Sequence, residues 1–452
     1  MINITQLDPA QAWSLYQPES PDGWTLRQAA HLYRRGGFSA NREQLEQALT
    51  LNPGEAVHQL LNSAEESVSQ YETLAKTMLA TGNANNLSAW WMYRLLQTAD
   101  PLREKMTIFW HGHFATSAEK VTDPQLMYHQ NQLLRSNALE DFGSLLHDIS
   151  RDPAMLLYLD SATNRKAHPN ENFAREIMEL FCLGEGNYTE QDIRELARCF
   201  TGWEVRANRF RFNRYQHDKG EKNIFGQSGE FDGDAGVDLV LAHPAGPEFI
   251  CRKLVKFLVV DEPVPSVDLI APLARQFREN GLQIGPIVER ILSSKLFFSN
   301  DAIGRKIRSP IEFSVGLLQS LEVTTNYFEL SKRLADLGQK LFFPPNVKGW
   351  DGGRTWVNSS TLLARANLVQ DLLDREETRF AGGGMTDLCD KHELHRPTEI
   401  VDWLQTMLLA DELSPEVRSG LVRELESGTD PRERRLRQVV YLMCTLPEFQ
   451  LG

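Results

Sequence analysis

Along most of its length the chain places apolar residues three and four positions apart, the spacing of a helix that buries one face. In WTLRQAAHLYRRGGF, Leu26, Ala30 and Tyr33 share a face, and Gly36–Gly37 stop the run. REQLEQALTL and EAVHQLLNSAEESVSQYETLAKTML continue the pattern until TGNANN breaks it. Asp100–Pro101 pairs an N-cap with a first-turn proline and opens LREKMTIFWHGHF. Leu102, Met106, Phe109, Trp110 and His113 of that run fall on one side. Leu133, Leu134, Leu145 and Leu146 supply core positions to the next stretch.

The densest run of chemistry lies between Asn170 and Trp203. Asn170 is placed to cap a helix whose arc of Phe173, Ala174, Ile177, Leu180 and Phe181 is apolar. The opposite arc carries Glu171, Asn172, Arg175, Glu176, Glu179 and Cys182. Glu171, Arg175 and Glu179 form an i, i+4, i+8 ladder in which one guanidinium can serve two carboxylates. Gly184 and Gly186 end this helix. Thr189-x-x-Asp192 reads as a capping box opening a second helix with Ile193, Leu196, Ala197 and Phe200 inside. The two make a tight helical hairpin.

The pattern changes over residues 204–236, which are rich in Gly, Asp, Asn and Arg. RFRF and KNIFG are expected to pair as a short β-hairpin, with HDKGEK at its turn. Such an insertion is either a loose loop or a segment that covers a site. Helical periodicity returns in HPAGPEFICRKLVKFLV, with Phe249, Ile250, Leu254, Phe257 and Leu258 inward and Arg252, Lys253 and Lys256 opposite. FFPPNVKGWDGGRTWVNSS holds too much proline and glycine for a helix interior. Its two tryptophans either wall a pocket or plug the core. AGGGM at 381–385 is the clearest linker.

The expected fold is therefore mainly α: a large multi-helix globular domain with a small β-hairpin or loop insertion near 205–236. Three segments are expected: an N-terminal helical region over 1–95, a helical core with the candidate site over 96–380, and a linker with a C-terminal helical cap over 381–452. No period of roughly 30–50 residues recurs, which argues against a solenoid.

Composition narrows the function classes. A 41% hydrophobic content over 452 residues is ample for a large core. The net charge of −13, with no basic tract, disfavours nucleic acid and anionic membrane as partners. No run reaches the roughly 18 apolar residues of a transmembrane segment. MINITQLDPAQAW has no signal-peptide pattern. These features point to a soluble, cytoplasmic protein, or to one that is exported together with a partner. The five cysteines are scattered and never spaced as CxxC, so neither a zinc ribbon nor a disulfide framework is indicated. The HGH at 111–113 is conditional as a metal signature. If the helix runs on through Gly112, the two rings point apart; if Gly112 ends it, they can converge.

FWHGHFATSAEKV, NENFAREIMELFCLGEGNYTEQDIRELARCFTGW, the HDKGEK turn, HPAGPEFICRKLVKFLV and FFPPNVKGWDGGRTWVNSS occur in that order, after HLYRRGGF. In these blocks the chain resembles the bacterial domain-of-unknown-function 1800 (DUF1800) family. The resemblance implies a largely helical fold and no assigned reaction. It also implies a partner, a protein of the domain-of-unknown-function 1501 (DUF1501) type that is similar to alkaline phosphatases and sulfatases. Within the matching blocks, His111, His113, Glu176 and His217 are the candidate metal ligands. Mixed imidazole and carboxylate donors suit a divalent zinc, iron or manganese ion. Glu171, Arg175, Asp218 and Lys222 are the candidate catalytic residues, with Arg175 and Lys222 holding an anionic substrate. Two functional expectations follow: a site acting on an anionic substrate or partner protein, or a non-enzymatic escort of the phosphatase-like neighbour.

Overall fold

The computed structural model describes residues 7–18, 23–63, 68–427 and 430–452. Residues 64–67, within the helical run expected from Glu55 to Leu79, lie outside the described residues, as do residues 428–429 of the expected C-terminal cap. Among the described residues the structure is mainly helical, and the strands form three small two-stranded antiparallel sheets, so the mainly α expectation holds. Many helices open in one way: an Asn, Asp or Ser side chain accepts a backbone N–H, and proline follows it. Asn52–Pro53, Asp100–Pro101, Asp123–Pro124, Asp152–Pro153 and Ser309–Pro310 all do so.

Among the described residues two apolar cores form. The first gathers residues from Ala12 to Ala302, including Phe109, Trp110, Phe173 and Phe181. The second joins Trp90, Trp91 and Ile108 to Phe313, Leu368, Trp403 and Phe449. This second core draws on all three of the expected segments.

Five helices position the site and are numbered α1 to α5 in chain order: α1, Pro101–His113; α2, Asn172–Glu176; α3, Glu190–Cys199; α4, Ala245–Leu258; and α5, Pro310–Ser320. Helix α1 is shared between the cores, with Leu102, Met106 and Trp110 in the first and Ile108 in the second. Its buried Glu104 receives Arg94 and Arg135, each at 2.5 Å, and the Trp91 indole N–H at 2.9 Å. These partners hold the Glu104 carboxyl down at about 2 against the opposing effect of burial.

Two expectations are corrected. Helix α2 is continued from Ile177 to Cys182 by π-helix rather than α-helix. Leu183 N–H reaches back five residues to the Met178 carbonyl at 2.9 Å. The insertion also does not pair RFRF with KNI. Strand β1 (Trp203–Arg206) pairs with β2 (Arg209–Phe212), and β3 (Lys222–Ile224) pairs with β4 (Gln227–Gly229). Both hairpins close through two residues of positive φ, Ala207–Asn208 and Phe225–Gly226, which suits the right-handed twist of adjacent strands. HDKGEK lies between the hairpins, not at the turn of either.

Candidate functional site

Helix α1 runs through Gly112 to His113, so the two HGH rings diverge. His111 packs among Trp91, Phe342 and Trp350, and its Nε2 accepts the Phe342 N–H at 3.2 Å. Burial pushes this imidazole down to about 3, so it is neutral. On the other side, His113 Nε2 bonds the Phe181 carbonyl at 2.9 Å, and burial again keeps the ring neutral. A Cβ at Gly349 would stand 2.0 Å from the Gly112 carbonyl oxygen, and Gly349 has φ +77°. Only glycine lets the KGWDGG loop press so closely on α1.

The polar face of α2 is spent on its neighbours. Arg175 makes a two-pronged pair with Glu190 of α3 at 2.8 and 2.9 Å and reaches Glu171 at 3.4 Å. Glu171 also faces Arg194. The rung to Glu179 is not made, because the π-helical turn shifts the phase of the face. Glu179 instead accepts the Tyr188 hydroxyl at 2.9 Å. Burial, with Glu179 beside it, raises the Glu176 carboxyl.

The HDKGEK loop is a latch onto α3. His217 Nδ1 donates to the Thr201 carbonyl at 3.0 Å, and Thr201 Oγ1 accepts the Asp218 N–H at 2.8 Å. Asp218 pairs with Arg198 of α3 at 2.7 Å. The buried Lys222 ammonium donates to the Asp218 and Gly220 carbonyls at 2.7 and 3.0 Å. The structure thus brings Glu171 to Arg175, and Asp218 to Lys222, as two separate groups. The structure does not bring His111, His113, Glu176 and His217 together at one centre. Among the described residues, no group of three or more His, Cys, Asp or Glu side chains is placed to hold a metal ion.

A cleft of about 510 Å³ opens instead between α1, the π-helical turn, α4, α5 and the KGWDGG loop. Phe109, Phe249, Phe257, Trp350 and Trp356 supply its apolar walls. The tryptophan loop is therefore a pocket wall. At the floor, Lys105 of α1 pairs with Glu312 of α5 at 2.6 Å, and Lys306 approaches the same carboxylate at 3.3 Å. The two lysines hold Glu312 well below the carboxylate range, while burial brings Lys105 down to about 8. Buried Arg35, Arg308 and Arg365 stand behind this floor and donate to backbone carbonyls. Lys253 and Lys256 of α4, with Lys348 of the loop, complete the lining. Among the described residues, none of these three forms an ion pair with a carboxylate, whereas Arg252 on the same helix is paired with Glu248.

A model of the family described as protein of unknown function (DUF1800) matches residues 31–451. The chain belongs to the DUF1800 family. Comparison with curated proteins and with solved structures gives no match. In this DUF1800 protein, α1, α4 and the KGWDGG loop each supply a wall of the cleft at the junction between the cores. Sequence reasoning singled out His113 and Glu179, which do line it, but missed Lys105, Lys253, Lys256, Lys348 and Glu312. The loop tryptophans were the one legible signal. No helix among the described residues is long and apolar enough to cross a membrane.

Proposed function

We propose that this DUF1800 protein binds a small anion with an apolar or aromatic body in the cleft between its two cores. One observation carries this reading: three lysines that, among the described residues, form no ion pair with a carboxylate line a half-enclosed space walled by the rings of Phe38, Phe109, Phe249, Phe257, Trp350 and Trp356. Ammonium groups at the rim would meet the anion's charge, and the rings would cover its carbon skeleton. The positive floor behind Glu312 favours the same sign of ligand. This keeps the anionic substrate expected from the sequence but moves its recognition from Arg175 and Lys222 to Lys253, Lys256 and Lys348.

The test uses benzoate and phenyl phosphate as probes, read by calorimetry and by thermal unfolding of the full chain. A probe at a hundred times its Kd should stabilise the fold by about 2.7 kcal/mol. Lys253→Met and Lys348→Met should each weaken binding about ten-fold. Absence of stabilisation by either probe at millimolar concentration, or unchanged affinity in both variants, would overturn the reading.

A further inference from the structure

Lys253 is held unlike the other lysines of the cleft. His113 Nε2 faces a carbonyl oxygen, which can only accept, so Nε2 carries the ring hydrogen. Nδ1 of the same neutral ring is then a bare acceptor, and Lys253 Nζ lies 3.0 Å from it. The second partner of Nζ is the Leu180 carbonyl at 3.1 Å. Both carbonyls, Leu180 and Phe181, lie among the last four of the helix that ends at Cys182, where carbonyls lack partners inside the helix. Two N–H bonds of the amine are thus assigned to acceptors, and its remaining tetrahedral position is left to the cleft. The Phe249 ring stands 4.8 Å away.

We propose that Lys253 is an amine nucleophile that condenses with the carbonyl carbon of a small anionic aldehyde or 2-oxo acid held in this cleft. The proposal rests on the anion-binding reading and names its substrate class. The amine lone pair forms the C–N bond as the carbonyl π pair moves to oxygen. The nitrogen sheds its protons through His113 Nδ1, the oxygen gains them, and the C–O bond breaks with loss of one water. The product is an imine between Lys253 and the ligand, and no oxidant or reductant is required.

The surroundings bring the neutral amine this step needs within easier reach. Burial, with Lys256 a turn away on α4, brings Lys253 down to about 8. The titratable and charged groups around the cleft are Lys105 and neutral His113 on α1, Glu179 in the π-helical turn and Glu185 beyond it, Lys256 on α4, Asp261 after it, Lys306 and Glu312 at the floor, and Lys348 and Asp351 on the loop. None of these carboxylates reaches Lys253 as an ion pair.

The experiment incubates the full-length protein with glyoxylate and cyanoborohydride, which reduces an imine to a stable carboxymethyl amine. Peptide mass spectrometry then locates the label. Lys253 should be labelled at least ten-fold faster than exposed Lys256, and Lys253→Arg should lose that label. Labelling of Lys253 no faster than Lys256 in folded wild-type protein would overturn the proposal. Benzoate has no reactive carbonyl, so it separates the two readings. Stabilisation by benzoate without selective labelling defeats the nucleophile and leaves anion binding standing. Absence of both defeats both.

Discussion

Lys222 and Lys253 both turn their ammonium groups onto backbone carbonyls, yet their settings are opposite. Lys222 is buried in the loop that carries it and is satisfied by that loop's own Asp218 and Gly220 carbonyls, with the Asp218 carboxylate on Arg198. Lys253 reaches across to another element, leans on a neutral imidazole and keeps one side on a cleft. A crowded run of charged residues is as good at satisfying itself as at binding something else. Unspent polar capacity appears where lone residues from distant elements meet.

Breaking the cleft side at its tightest approach should give the largest effect. Gly349→Ala forces a Cβ onto the Gly112 carbonyl and a side chain into left-handed backbone, which should cost about 4 kcal/mol. The urea midpoint of purified protein measures it. On the latch side, Lys222→Met leaves two carbonyls unpaired and should cost about 3 kcal/mol by the same measurement, with benzoate affinity unchanged in the folded fraction.

A smaller effect sharpens the contrast through pH. His111 takes a proton at about 3 when folded but near its ordinary 6.5 when unfolded. Between those values the unfolded chain binds more protons, so stability falls as pH falls from 6.5 toward 3, by on the order of 1 kcal/mol per pH unit. Denaturation series at pH 7, 6 and 5 should show this slope, and His111→Gln should reduce it. The smallest effect belongs to Arg175→Ala. Its partners are largely exposed, so the loss should stay within about 0.5 kcal/mol and leave benzoate binding unaltered.

The helices were legible because their caps are local: Asp100–Pro101 and the Thr189–Asp192 capping box formed as read. The divergence of His111 and His113 followed from helix geometry once α1 ran past Gly112. The π-helical turn was not legible, since six residues are too few for a longer period to separate from 3.6. The hairpin partners were misassigned because Ala207–Asn208 and Phe225–Gly226 lack the usual Asn-Gly or Asp-Gly signal. The cleft was hidden for a different reason. Lys105, Lys253 and Lys348 look like solvated charges on three separate segments, and nothing in their spacing says that they face one another. Arg34 and Arg35 are buried too, although arginine in a helix ordinarily marks its wet side.

The second core has a consequence for how the chain is made. Trp90 and Trp91 emerge from the ribosome early, but they pack with Phe313, Leu368, Trp403 and Phe449, which emerge late. At ordinary synthesis rates that delay is on the order of ten seconds or more. The first core, complete by Ala302, can condense in the meantime. The nascent protein therefore passes through a half-built state with an apolar seam open along α1, and that interval is when a chaperone would have most to hold.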